Sequence, residues 1–249
     1  LAGFDLLDDQ QAVFQRLVNV AKQEQVDAII IAGDLYDRAL PSEAAVSTVN
    51  EMLFELNRQL NYPLLVVSGN HDSAGRLNTG RAWYASTGLY LNTQLDQAFK
   101  PVTLGDSQFF LLPYFEPVAA RLYFDVDRLT NIAKAMVPVV AKMQTLFAPE
   151  KRHTLGVPFF AAGSEHSDSE TRVNVGGLDA VAVGDLSPFD YVAFGQLHSR
   201  HALDVEKIQS SGCSLKYSVS EAAQEKGGYF LVIDTNTRQF IPLGPKPQV

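Results

Sequence analysis

The sequence has 249 residues, enough for one large domain or two small ones, and its formal net charge is −8 at pH 7. Hydrophobic residues make up 46% and charged residues 19%, which is typical of globular proteins, and no apolar run is long enough to predict a membrane-spanning helix. The single cysteine, Cys213, excludes an internal disulfide framework, and this favours a cytoplasmic location, as does an N-terminus without the pattern of a secretory signal.

The first half of the sequence alternates between helical and strand patterns. Apolar residues at helical spacing follow residues 8–10, and a short buried strand is predicted at 28–32. Pro41 opens a second predicted helix, the next buried strand is predicted at 64–67, and a loop with a short helix is expected around Trp83. A strand, a helix and a strand in this order predict a right-handed crossover between parallel neighbours, which indicates an α/β fold.

The second half is less regular. Strands are predicted at 109–112, 191–194 and 229–233. Residues 119–147 are expected to be mainly helical, with Pro138 producing a kink or a break. No internal repeat and no low-complexity segment is visible in the sequence.

Three short segments place polar side chains directly after predicted strands: residues 33–37, 69–72 and 195–198. Each begins with a glycine, which allows a sharp turn and a close approach of the backbone to a ligand. Because sites in α/β proteins form at the carboxyl ends of neighbouring strands, we expect these polar side chains to lie close together. They include carboxylate, amide and imidazole groups, which bind divalent metals.

Each segment alone has a simpler interpretation. A Gly-Asp pair after a strand is commonly only a turn, an Asn-His-Asp sequence can cap a helix, and a Gly-x-x-His pattern is weak evidence. Their joint occurrence in this order, each after an apolar strand, favours a metal site that acts on a phosphate ester. A pair of divalent cations can hold both the attacking and the leaving oxygen of such a reaction.

These motifs and their surroundings resemble the calcineurin-like metallophosphoesterases and, within that family, the SbcD-type nuclease subunits. The resemblance extends over most of the chain and implies an α/β sandwich of two mixed sheets flanked by helices. The glycine motifs that contain Asp34 and His71 are shared by the whole family. The narrower likeness depends on further segments, at residues 4–10, 112–114, 167–170, 175–177, 189–193 and 215–218.

The resemblance implies the roles of four residues. Asp34 bridges two divalent metal ions, usually Mn²⁺ in this family, while Asn70 binds one of them and His198 the other. His71 lies beside the scissile phosphate, where it stabilises the transition state or protonates the leaving oxygen. A hydroxide held by the metals attacks the phosphodiester in line.

Four further side chains are assigned supporting roles. Asp37 and Asp72 are expected to brace their turns by hydrogen bonds rather than to bind metal. Arg76 and Arg81 follow the Asn-His-Asp turn and are candidates for contacts to DNA phosphates, although a plain surface role fits them equally well.

The sequence also departs from the family pattern. The family opens with an Asp-x-His strand end, and this chain starts after that point; where the family has two further ligand histidines, this sequence has Pro158 and Gln196. Neither proline nor an amide nitrogen replaces an imidazole, so we expect the two metals to be weakly held or absent and hydrolysis to be impaired. Among the other histidines, His153 and His166 are interpreted as solvent-exposed residues. His201 follows the last motif by three residues, and a role as a substitute ligand is the less favoured interpretation.

By resemblance, residues 1–240 form a nuclease domain without its first strand, and residues 241–249 begin a linker to a capping domain. The implied partners are DNA ends and hairpins and an SbcC-type coiled-coil ATPase, in DNA repair and recombination; a homodimer is compatible, and no membrane is expected. The acidic net charge does not favour DNA, although metal ions supply positive charge at a phosphate site. Two alternatives stay open, a non-catalytic DNA- or partner-binding module and a phosphodiesterase for small molecules.

Overall fold

The computed structural model describes residues 6–161, 180–197, 207–216, 221, 224–235 and 237–244. The helices in these ranges are α1 (Leu7–Gln23), α2 (Glu43–Phe54), α3 (Ala74–Leu77), α4 (Arg81–Ala85), α5 (Pro117–Phe124) and α6 (Ile132–Gln144). The strands are β1 (Ile29–Ala32), β2 (Leu64–Val67), β3 (Leu89–Asn92), β4 (Val102–Leu104), β5 (Ser107–Leu111), β6 (Arg152–Val157), β7 (Phe160–Ala161), β8 (Ala180–Val181), β9 (Tyr191–Phe194), β10 (Ile208–Ser210), β11 (Gly227–Val232) and β12 (Thr237–Pro242).

Two sheets form the body of the described structure. The smaller sheet contains β1, β2 and β3 in that order, all parallel, and the larger has the order β10-β9-β6-β5-β4, parallel except for the antiparallel pair β4 and β5. The strand pairs β11-β12 and β7-β8 form two small additional sheets. The predicted α/β class is confirmed. The larger sheet is mixed, as expected, whereas the described strands of the smaller sheet are all parallel.

The central strand of the smaller sheet shows how the two sheets pack. Leu65 and Val67 of β2 pack with Leu111 of the larger sheet, while Leu64 and Val66 pack in the cluster that includes α1. All four β2 side chains are completely buried. Full burial of a Leu or Val side chain stabilises a fold by about 1.5–3 kcal/mol, so β2 anchors both faces of its sheet. The same strand was predicted to be buried, as was β1, which is only half-buried.

The predicted helical region between β5 and β6 is divided in two, but the division does not fall at Pro138. Helix α6 continues through Pro138, whereas α5 ends at Phe124 and is followed by Asp125, whose φ of +55° is left-handed. Helix α6 then starts at a cap in which Oδ1 of Asn131 accepts the N–H of Lys134 at 2.8 Å. A break at Pro138 is therefore wrong, since buried side chains before and after it keep the helix packed on the core.

The other predicted helices are confirmed. Helices α1 and α2 lie where apolar spacing predicts them, and the short helix expected around Trp83 is α4, preceded by α3. Trp83 is the only tryptophan of the sequence and is 75% exposed. No helix in the described ranges combines the length and the apolar character needed to cross a membrane.

The described fold extends beyond its predicted end at residue 240. Strand β12 runs to Pro242, and Leu243, which is buried, packs with Val13 of α1. The backbone N–H groups of Leu243 and Gly244 donate to the carbonyl oxygen of Lys226 at 2.9 and 3.0 Å. The packed chain therefore continues at least to Gly244, and a linker to a capping domain stays a prediction.

Candidate metal and phosphate site

Four strand ends meet at one edge of the two sheets. Strands β1 and β2 end side by side, and so do β6 and β9. Two glycines allow the sheets to approach: a Cβ atom at Gly195 would overlap the carbonyl oxygen of Ala32, and one at Gly33 would lie 2.6 Å from Cβ of Pro158. Side chains at these positions would push the sheets apart. The segments that follow β1, β2, β6 and β9 therefore lie together, where the motifs place the site.

Asp34 is bonded directly to the turn that carries Asn70 and His71. Its Oδ1 accepts a hydrogen bond from the backbone N–H of His71 at 3.0 Å. The backbone of Asp34 is left-handed, with φ of +48°, and a Cβ atom at Gly69 would overlap the Asp34 carboxylate. Asp34, Asn70 and His71 are therefore neighbours, and the metal and catalytic roles assigned to them stay predictions.

Asp72 holds the two turns together. Its Oδ2 accepts the N–H groups of Gly69 and Leu35 at 2.9 and 3.1 Å, and its Oδ1 accepts that of Tyr36 at 3.0 Å. Burial raises the pKa of the Asp72 carboxyl to about 6; the negative charge of Asp34 acts in the same direction, while the three hydrogen bonds oppose it. The expected bracing role of Asp72 is confirmed.

The His71 ring is oriented by the backbone of Asp37. Nδ1 of His71 lies 3.1 Å from the carbonyl oxygen of Asp37. Because a carbonyl oxygen only accepts, Nδ1 carries the hydrogen and Nε2 is the nitrogen available to a substrate. The side chain of Asp37 does not brace the turn as expected: it pairs with Arg38 at 2.7 Å, a bond that lowers the pKa of Asp37, and the backbone carbonyl does the bracing.

Two amide oxygens at this edge, Oδ1 of Asn70 and Oε1 of Gln196, are buried without a hydrogen-bond partner among the described residues. Leaving a buried polar group unpaired costs about 1–3 kcal/mol, which a bound cation would offset. With the carboxylate of Asp34, these oxygens are a donor set that suits a hard divalent cation. Pro158 is buried against Gly33 and has no donor atom in its side chain. The residues present fit a divalent cation held by oxygen atoms.

The histidines contribute less to the described site. No group of three His, Cys, Asp or Glu side chains within the described ranges is arranged to hold a metal. His198, His166 and His201 lie outside the described residues. The interpretation of His153 as a solvent-exposed turn residue is wrong: it lies in β6, and its ring stacks on Phe147 with centroids 3.8 Å apart. It occupies the amino end of β6, away from the site edge.

The two predicted phosphate-binding arginines differ in their contacts. Arg81 donates from Nε to the carbonyl oxygen of Leu91 at 2.8 Å and from Nη2 to Oδ1 of Asn92 at 2.9 Å, so it anchors α4 to the end of β3. Arg76 is exposed, with Nη1 3.5 Å from the carbonyl oxygen of Ala39. Arg81 therefore has a structural role, and a DNA contact by either arginine stays a prediction.

Two features of the site are not visible from the motifs. By resemblance to the family, Gln196 stands where a ligand histidine is expected. Only the structure shows that its side-chain oxygen is buried without a partner among the described residues. Tyr36 donates its backbone N–H to Asp72, and burial, followed by the charge of Asp72, raises the pKa of its phenol. In the sequence, Gln196 and Tyr36 are distinguished only by following a glycine turn, and that position does not specify a role.

Known proteins share this sequence pattern. The chain matches the family described as Calcineurin-like phosphoesterase over residues 5–185. The D subunit of the nuclease SbcCD from Staphylococcus epidermidis is 34% identical over 248 residues, which cover 98% of this chain and 66% of that protein. A protein of the same name from Staphylococcus saprophyticus is 33% identical over 251 residues, covering 100% of this chain and 67% of that protein. The chain spans about two thirds of the length of these curated relatives.

Proposed function

The chain belongs to the calcineurin-like phosphoesterase family, and on this basis we propose that it is a metal-dependent phosphodiester hydrolase that serves as a nuclease subunit of the SbcD type. The family match covers most of the chain, and both relatives are nuclease subunits by name. The position of the site, at the carboxyl ends of strands from two sheets, supports the same function.

One observation carries this proposal. The side-chain oxygen of Asn70 is buried and has no hydrogen-bond partner in the described structure, and Asn70 directly precedes the His71 N–H that Asp34 accepts. A module that only binds a partner gains nothing from a buried unpaired amide oxygen, which destabilises its fold. A cation held by Asp34 and Asn70 would remove that cost, because it would balance the charge of the carboxylate and satisfy the amide oxygen.

Each residue at the site then has its own proposed role. A bound divalent cation would supply Lewis-acid stabilisation of phosphate charge and activation of water. Asp34 and Asn70 would hold it, and His198, which lies outside the described residues, would help to hold a second cation beside Asp34. His71 keeps its hydrogen on Nδ1, so its Nε2 faces the substrate and, when protonated, can donate to a phosphate oxygen or to the leaving oxygen. Asp72 fixes the two turns, and thereby the relative positions of these groups.

We further propose DNA as the substrate, cleaved at ends and hairpins, and an SbcC-type coiled-coil ATPase as the partner. The names of the two relatives support a nuclease that works as one subunit of an SbcCD complex, while the ends and hairpins and the coiled-coil ATPase come from the family resemblance. A net charge of −8 does not favour nucleic acid, and a bound cation would supply positive charge at the phosphate. The single cysteine supports a cytoplasmic location.

A non-catalytic module for binding DNA or a partner is the second candidate, and Pro158 favours it. The family resemblance places a ligand histidine at this position, whereas the buried proline packs against Gly33 and offers no donor. A second metal would therefore lack a ligand from the end of β6. In that case the fold is retained and turnover is lost.

Calorimetric titration of the full chain with Mn²⁺ separates the two candidates. We expect saturable binding that is lost in Asp34→Asn and kept in Asp106→Asn, a matched control at an exposed carboxylate beside Lys151 at the amino end of β5. Cleavage of a DNA hairpin in preference to a small aromatic phosphodiester then supports a nuclease over a small-molecule phosphodiesterase. Absence of Mn²⁺ binding, or binding unaffected by Asp34→Asn, contradicts the proposed enzyme.

A further inference from the structure

We propose that Gln196 supplies a side-chain oxygen to the cation at this edge and thereby makes the site selective for hard divalent ions such as Mg²⁺ and Mn²⁺ over Zn²⁺. The inference rests on the proposed function, because it requires a cation beside Asp34 and Asn70. It assigns a role to a position where the family pattern shows only a missing histidine.

The backbone of Gln196 has an unfavourable conformation. Its φ is +56°, in the left-handed region that favours glycine. The N–H of Leu197 donates to the carbonyl oxygen of Gly195 at 2.6 Å, which makes Gln196 the central residue of a γ-turn. The form of this turn with positive φ is rare and strained. A side chain retained at a strained position is typical of a functional residue.

The turn is fixed from both sides. The N–H of Gly195 donates to the carbonyl oxygen of the last residue of β6 at 2.9 Å, and the lack of a side chain at Gly195 admits the carbonyl group of Ala32. On the other side, Oγ of Ser210 donates to the carbonyl oxygen of Leu197 at 3.1 Å. Gln196 is therefore held at the edge that carries the other two proposed ligands.

The side-chain oxygen of Gln196 has the same unusual environment as that of Asn70. Both atoms are buried, and neither has a hydrogen-bond partner in the part of the chain that the structure describes. Buried polar atoms are nearly always paired. The described structure has four such unpaired side-chain oxygens, the other two being the hydroxyls of Ser68 and Thr154, and the two amide oxygens both follow strands that end at this edge. A cation pairs with both, and it needs no hydrogen-bond donor from the protein.

The chemistry of the donors determines which ion is preferred. Asp34, Asn70 and Gln196 offer oxygen atoms, which Mg²⁺ and Mn²⁺ prefer, whereas Zn²⁺ sites are built mainly from imidazole and thiolate. Pro158 offers neither, and the described residues hold no group of three His, Cys, Asp or Glu side chains suited to a metal. A glutamine in place of a histidine at 196 therefore shifts the site towards harder ions.

Gln196→Gly separates a binding role from a structural one. Without metal, in EDTA, this variant should have a higher melting temperature than the wild type, because glycine relaxes the turn and removes the unpaired oxygen. Its Mn²⁺ and Mg²⁺ affinities, measured by calorimetry on the full chain, should fall about 10-fold or more. Gln196→Glu keeps an oxygen and should retain binding of both ions. Gln239→Ala, at an exposed glutamine in β12, should change neither property.

Gln196→His tests selectivity directly and should raise the ratio of Zn²⁺ to Mg²⁺ affinity about 10-fold. The inference is overturned if Gln196→Gly has a lower melting temperature than the wild type and binds Mn²⁺ equally well. In that case the proposed function still stands, provided that Asp34→Asn loses Mn²⁺ binding. A wild-type chain that binds none of the three ions overturns the proposed function and, with it, the inference.

Discussion

The carboxylate of Asp34 accepts a 3.0 Å hydrogen bond from the backbone N–H of His71, which lies 37 residues further along the chain. The bond joins the turn after β1 to the turn after β2. It also ties the carboxylate of the proposed metal ligand to the backbone of the residue that bears the proposed proton donor. Such coupling keeps reacting groups in place before a substrate arrives.

Replacing His71 with glutamine should lower the rate of DNA cleavage by about 10²–10⁴-fold, the usual contribution of a general acid. The backbone N–H that Asp34 accepts is unchanged, so Mn²⁺ affinity should stay within about twofold of the wild type. Cleavage assays and calorimetry on the same preparation measure both quantities. Loss of Mn²⁺ binding in this variant would identify the imidazole as a ligand instead.

Asp72 should stabilise the metal-free protein more at pH 5 than at pH 7. Its pKa is about 6 in the folded state against an ordinary value of 3.8, so the folded state takes up the proton first as the pH falls. This contribution to the free energy of unfolding is complete below pH 3.8 and is lost as the pH rises through 6. For this group alone, the gain from pH 7 to pH 5 is about 1 kcal/mol.

Urea unfolding in EDTA, followed by circular dichroism, measures this effect in the wild type and in Asp72→Asn at both pH values. The variant lacks the titrating carboxyl, so other groups contribute equally to both proteins. If the gain in the free energy of unfolding from pH 7 to pH 5 is no larger in the wild type than in Asp72→Asn, the pKa of Asp72 is not raised.

Gly195→Ala should destabilise the fold by about 3 kcal/mol or more, because its Cβ atom would overlap the carbonyl oxygen of Ala32 and force β9 away from β1. The matched control is Gly184→Ala, since a Cβ atom there meets no described atom within 4 Å. The control should stay within about 0.5 kcal/mol of the wild type. Urea unfolding compares the two variants, and equal effects would mean that the close approach at Gly195 does not exist.

Arg81 and Arg76 should respond in opposite ways to replacement by methionine. Arg81→Met should lower the free energy of unfolding by about 1–3 kcal/mol, because it leaves two acceptors at the end of β3 without their donor. Arg76→Met should leave stability unchanged and, if Arg76 contacts a phosphate, reduce the salt slope of DNA binding by about 1. Unfolding curves measure the stability of both variants, and DNA-binding titrations at several salt concentrations measure the salt slope. A stable Arg81 variant with weakened DNA binding would reverse the assignment.

The strands that bear the motifs were predictable because their signals are local. Strands β1, β2 and β9 are short apolar runs that end at glycines, and the helix between the first two requires a parallel pair. The position of Asp34 next to the Asn70–His71 turn follows from this topology. Residues far apart in sequence could therefore be placed together before any coordinates were known.

Other features depend on contacts that the sequence does not display. Strand β6 starts with Arg152 and His153 and includes Gly156, so its start lacks an apolar pattern. Contacts between distant residues hold it instead, among them the stacking of His153 on Phe147. Helix α6 passes through Pro138 because its buried side chains hold it on both sides. The strain at Gln196 is visible only in its φ and in the bond that closes its turn.

Trp83, on the outside of α4, gives the protein an unusual optical property. An indole so exposed emits as it would in water even when the chain is folded, so its fluorescence will report unfolding poorly. Any molecule that covers α4 will exclude water from this ring and shift its emission to shorter wavelengths. The chain thus carries a built-in spectroscopic probe for any molecule that docks on α4.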